Sequence, residues 1–145
     1  MTPGIYNLGD ATLTAAVTDS VITSGVSSAG VAQAFIDRLD GMNAVSVQAK
    51  FAYGSEGTSL KVDVETSLDQ GVSWIPIARL AFTTATATKV VNLSGLTPKT
   101  TAATLGALSD DACLDGILGD RIRCRITSVG SYAGGTTVSV RASVR

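Results

Sequence analysis

The sequence predicts an all-β fold: an antiparallel β-sandwich, jelly-roll or Ig-like, of about seven to eight short strands behind an extended N-terminal arm. Three observations predict it. Apolar and polar residues alternate with a period of two in several stretches, as in Val45-Ser46-Val47-Gln48-Ala49-Lys50-Phe51. Reversal signals such as Gly54-Ser55-Glu56-Gly57 and Asp69-Gln70-Gly71 separate those stretches. Hydrophobic residues make up 45% of 145 positions and charged residues only 16%, a balance that supports a packed core and not disorder.

Along the chain the elements follow from these signals. Residues 1–30 are rich in Thr, Ser, Ala and Gly, with sparse apolar positions, and read as an extended arm or short edge strands and not a helix. The stretch Gly25 to Gly30 reads as a joint. Residues 31–145 read as the sandwich. Val31 to Leu39 is a strand and Asp40-Gly41 a turn. Pairing Phe51 with Leu60 aligns Ala49 with Val62 and Val47 with Val64, placing every apolar residue on one face. Pairing Val64 with Pro76 sets Thr66 against Trp74 and Leu60 against Leu80, so that 45–82 forms a three-stranded meander. Trp74, Pro76, Ala78, Leu80 and Phe82 then share the apolar face. Pro76 has no N–H, which makes its strand an edge or a bulged one. Lys89 to Leu93 is a shorter strand, and Ser109-Asp110-Asp111 could cap a short helix. Arg121–Ser128 and Thr137–Arg145 form a last hairpin, with Cys124 against Ala142, Ile122 against Val144 and Ile126 against Val140.

Composition excludes several chemistries. The chain has no histidine, which removes Ser-His-Asp and Cys-His catalysis and His-based zinc sites. Its only glutamates are Glu56 and Glu65, and Glu56 lies in a turn. Phosphate-loop, Rossmann and nucleophile-elbow patterns do not occur. No catalytic set, cofactor site or metal site is expected. The formal net charge of −1 exerts no pull on nucleic acid, and no apolar run approaches membrane-spanning length. Met1-Thr2-Pro3-Gly4 is not a secretory signal, so synthesis in a cytoplasm is expected, with Cys113 and Cys124 as reduced thiols.

Three constellations stand out. Ser67, Asp69, Gly71 and Trp74 fit S-x-D-x-G-x-x-W, which resembles the Asp-box turn of sialidase-type propellers. The motif occurs once here, so a rigid structural hairpin is favoured over glycan binding. In it Asp69 bonds turn amides, Gly71 supplies a positive φ and Trp74 anchors the core. Arg121, Arg123, Arg125, Arg141 and Arg145 share one outward face in the hairpin register. They read either as a docking face for acidic residues of a neighbouring subunit or for phosphate, or as a solvated face balanced by Asp63 and Glu65. Asp110, Asp111, Asp115 and Asp120 do not match an EF-hand, and read as loop carboxylates.

A resemblance enters with Val64 through Leu96, notably Ser67-Leu68-Asp69-Gln70-Gly71-Val72-Ser73-Trp74, Phe82-Thr83-Thr84-Ala85 and Lys89-Val90-Val91-Asn92-Leu93-Ser94. Leu114-Asp115-Gly116-Ile117-Leu118-Gly119-Asp120-Arg121 and Tyr132-Ala133-Gly134-Gly135 continue it. These stretches resemble small β-sandwich structural proteins of tailed bacteriophages. The resemblance implies a non-enzymatic virion component on the head surface, a decoration, cement or minor capsid protein. Its partners would be its own copies, as a homotrimer, and the major capsid protein, with no membrane and no nucleic acid. A tail, neck or baseplate component is the alternative, and a carbohydrate-binding module built on the Asp-box hairpin is the second.

Overall fold

The structure is a computed structural model that describes residues 3–28, 30–36, 39 and 41–145. It is all-β and antiparallel, and two sheets pack face to face. The strands are β1 (Gly4–Thr12), β2 (Ser20–Val21), β3 (Val26–Ser27), β4 (Gly30–Val31), β5 (Ala44–Ala52), β6 (Ser55–Glu56), β7 (Ser59–Ser67), β8 (Ile75–Phe82), β9 (Ala87–Ser94), β10 (Arg121–Val129), β11 (Tyr132–Ala133) and β12 (Thr137–Val144). Sheet I has the order β1-β12-β5-β9, and sheet II the order β2-β10-β7-β8.

Alternation builds the core. Val45, Val47, Ala49 and Phe51 of β5 and Val138, Val140, Ala142 and Val144 of β12 point inward from sheet I. Leu60, Val62 and Val64 of β7 and Ile122, Cys124 and Ile126 of β10 meet them from sheet II. All of these are buried, as the period-two pattern requires.

The faces match the sequence reading, but several partners differ. β5 does not pair with β7. It pairs with β12 and β9, and meets β7 only across the core. β10 likewise pairs with β7, not β12, so Cys124 lies opposite Val64 and Ala142 opposite Tyr6 and Val47. The cause lies in the two connections. Ser55–Glu56 and Tyr132–Ala133 pair with each other as a small ribbon, so neither connection is a tight hairpin. Each carries the chain from one sheet to the other. Gly57 (φ 69°) sits against the Tyr132 ring, where a Cβ would overlap it. The Tyr132 hydroxyl donates to the Thr83 carbonyl at 2.8 Å, and Phe51, Tyr53 and Phe82 pack around the same end.

β7 and β8 do pair, two residues out of the expected register: Leu60 faces Phe82 and Val64 faces Ala78. A bulge follows, and Glu65 then faces Pro76. The strand that holds Pro76 is both an edge and bulged, as a missing N–H demands. The extra residue lets Ile77 and Ala78 both bury and turns Pro76 to the outer face.

The N-terminal segment differs from a separate arm. β1 pairs along its length with β12, from Gly4–Val144 to Thr12–Thr137, and Leu8, Leu13 and Ile22 are core residues. The segment is an edge strand of the sandwich, and its length and partner were hidden because Gly9 and a bulge after Asn7 interrupt the alternation. Of the expected strand Val31 to Leu39, β4 and a bridge between Ile36 and Ile122 form. Asp37, Arg38 and Asp40, and with Asp40 the expected Asp40-Gly41 turn, lie outside the described residues. Segment 109–112 is a turn with Asp111 at φ 58°, not a helix.

Candidate functional site

The Asp-box hairpin is built as the motif requires. The Asp69 carboxylate accepts from the Ser73 N–H (2.8 Å), the Ser73 hydroxyl (2.6 Å) and the Ser67 hydroxyl (2.8 Å). The Ser67 oxygen in turn accepts from the Gly71 N–H at 2.7 Å. Gln70 and Gly71 take positive φ (59° and 89°), which closes the turn. Donation by the Ser73 hydroxyl, then by its N–H and the Ser67 hydroxyl, lowers the Asp69 pKa to about 2. Every atom of the carboxylate is therefore engaged in holding the loop.

Trp74 is not in the core. The bulge places it half-buried on the outer face of sheet II. Its ring lies 6.1 Å from that of Phe35 and 4.2 Å below the Arg123 guanidinium. Arg121 covers Phe35 at 5.1 Å. The strap that carries Phe35 is fixed by reciprocal backbone bonds between Ile36 and Ile122. Trp74 thus carries Arg123 over its ring and has Phe35 tilted beside it.

The five-arginine face divides. Arg121, Arg123 and Arg125 line the outer face of sheet II, because the inward alternation of Ile122, Cys124 and Ile126 forces them out. Arg141 and Arg145 belong to sheet I, on the other side of the sandwich. Their common face assumed a β10–β12 hairpin that does not form. Arg141 donates to Asp10 at 2.8 Å, and Arg145 is exposed beyond the end of β12.

On sheet II the arginines meet carboxylates on the neighbouring strand. Arg123 Nε lies 2.7 Å from Glu65, and Arg125 lies 2.8 Å from Glu65 and 3.2 Å from Asp19. Arg79 of β8 binds Asp63 with both ends of its fork, at 2.7 and 2.9 Å. That contact raises the Arg79 pKa further. The side chains of Asp63 and Glu65 are only 3% exposed. Sequence reasoning placed Asp63 and Glu65 near the arginines but missed Arg79 and Phe35. The outward position of Arg79 opposite Asp63 was the available signal once the β7–β8 register is right.

The acidic segment is spread among separate partners. Asp110 pairs with Lys61, and Asp111 with Lys89 and the Ala81 N–H. Asp115 accepts from the Ser94 N–H and the Thr97 hydroxyl, and Asp120 lies 3.6 Å from Arg121. No metal-holding group of three occurs among the described residues. Cys113 is exposed and Cys124 buried, both as free thiols, and burial pushes the Cys124 thiol well above its usual pKa.

The outer face of sheet I has a different character. Ser46, Gln48, Ser139 and Ser143 line a shallow groove of about 630 Å³, with Ile5, Val90, Lys50 and Arg141 around it. Ile5 and Val90 are 62% and 63% exposed. The groove floor is short polar side chains, and its rim carries apolar ones. The chain matches no protein-family model, no curated protein and no solved structure.

Proposed function

We propose that this chain is a non-enzymatic structural protein of a phage particle, a head decoration, cement or minor capsid protein that stabilises the lattice through subunit contacts. The contrast between the two outer faces carries the proposal. On sheet II, Arg79, Arg123 and Arg125 are neutralised by Asp63, Glu65 and Asp19, and Trp74 is capped. The cations Arg79, Arg123 and Arg125 of that face already hold carboxylate partners within the chain. On sheet I, short hydroxyl and amide side chains flank exposed Ile5 and Val90. A surface of that kind docks on another protein through shape and apolar contact, with Lys50 and Arg141 as the charges at its rim. The docking face in this reading is therefore sheet I, with Arg141 at its margin, and not an arginine cluster. The resemblance of residues 64–96 to tailed-phage structural proteins supplies the particle. The same resemblance supports own copies and the major capsid protein as partners.

Quantitative mass spectrometry of particles purified from the source culture tests this. A copy number equal to that of the major capsid protein, or a large simple fraction of it, is the expected result. A few copies per particle would move the protein to the neck, tail or baseplate. Absence from particles overturns the reading.

A further inference from the structure

Three of the four sheet edges are covered. On the free side of β1 the Asp10 N–H donates to the Ser24 carbonyl, and the Asn7 carbonyl accepts from the Gln33 N–H. β10 is flanked by β2 and by Ile36. β8 is flanked by the strap at Ala112–Leu114, through Arg79 N–H to Ala112 and Leu114 N–H to Ile77. β9 differs. Its one strand partner is β5, and among the described residues no backbone group pairs with its other side between Ala87 and Leu93.

Which groups face outward follows from the register. Ala44 exchanges both backbone bonds with Arg145, on the β12 side of β5. By alternation Val45, Val47, Ala49 and Phe51 turn theirs to β9, where they face Leu93, Val91, Lys89 and Ala87. Thr88, Val90 and Asn92 therefore aim N–H and C=O at the open edge. The Ser94 N–H agrees, since it points away from β5 and binds Asp115.

We propose that β9 is the self-association edge of this protein, pairing antiparallel with β9 of a second copy about a two-fold axis through Val90. The sequence is self-complementary in that register. Val90 meets Val90 of the other copy, and Thr88 meets Asn92 in both directions. All three are edge-facing, so every pair is a hydrogen-bonded one. The exposed Val90 side chains become neighbours on the outer face, an apolar pair suited to the centre of a ladder. Only one charge lies in the strand. Lys89 projects to the opposite face, where its ammonium binds Asp111 and the Ala81 carbonyl of its own chain. Lys89 then stands beside Val91 of the other copy, so no like charges meet. Sheet I of each copy becomes half of one continuous sheet, and an isologous contact closes on itself. This inference does not rest on the virion reading.

The test is sedimentation velocity on the full chain over a wide concentration range, with Val90→Pro and Val90→Lys variants. Proline removes an N–H that the monomer does not use, so the fold tolerates it. Lysine sets two like charges face to face while keeping that N–H. The expected result is a concentration-dependent dimer for the natural chain. Both variants should be monomers with unchanged far-ultraviolet circular dichroism. Hydrogen exchange at the Val90 amide should slow as the dimer forms. A natural chain that stays monomeric or forms a trimer overturns the proposal. So does a dimer that survives the lysine substitution. A monomer found at high copy in particles would overturn this pairing and leave the proposed function standing.

Discussion

At Asp69 one carboxylate gathers three donors, and its protonation state decides the turn. The folded pKa, about 2, lies below the ordinary value of 3.8. The group therefore stabilises the fold fully above its unfolded pKa, and the contribution is lost as pH falls through the folded one. The Ser73 amide resonance should titrate with a midpoint near pH 2 and stay flat above about pH 4. In Asp69→Asn that titration should vanish. Glu65 is the second residue on which much depends, because Arg123 and Arg125 both rest on it. Glu65→Ala leaves two guanidinium groups facing a lost partner. Breaking such a buried pair costs about 3 kcal/mol when the cations keep some water. Urea unfolding should show that loss, with Glu65→Gln intermediate. The turn was legible in the sequence because its chemistry is local: serine, aspartate and glycine act within five positions. The place of Trp74 was not, since it depends on the bulge at Ile77, and nothing in the period-two pattern marks where an extra residue is inserted.

At the scale of elements, alternation showed which side of each strand is buried, for β5, β7, β10 and β12 alike. It could not show which strands are neighbours. An inward valine satisfies the pattern equally well whether the next strand lies beside it or across the core. The ribbon of β6 and β11 decides that, and two-residue strands leave no periodicity to read. β1 illustrates the same limit. Its buried residues are Leu8, Gly9 and the small polar Asn7, whose amide donates to the Gly30 carbonyl at 2.8 Å and whose oxygen accepts from the Gly9 N–H. Removal of residues 1–13 should therefore unfold or aggregate the protein, because it strips Leu8 and Leu13 from the core and bares β12. A point variant makes the same case more gently. Leu8→Ala should lower stability by about 2–5 kcal/mol, measured by urea unfolding. A truncated chain with a native near-ultraviolet spectrum would show instead that the segment is a dispensable arm.

At the scale of the molecule, the chain alternates between sheets almost without pause. Of the long strands only β7 and β8 are consecutive in sequence and paired with each other. Sheet II lacks a central strand until β10 is present and sheet I until β12 is, so most pairings join distant parts of the sequence, and pairing of this kind is slow. The outermost pair adds a mechanical consequence. Gly4 faces Val144, so β1 and β12 bring the two ends of the chain to one place. A force applied through those ends runs across the ladder and opens its hydrogen bonds one after another, as a zipper opens. The bonds never share the strain. Tension delivered through the chain ends would therefore peel β1 away easily, whereas pressure on the broad faces meets the full packed thickness of both sheets.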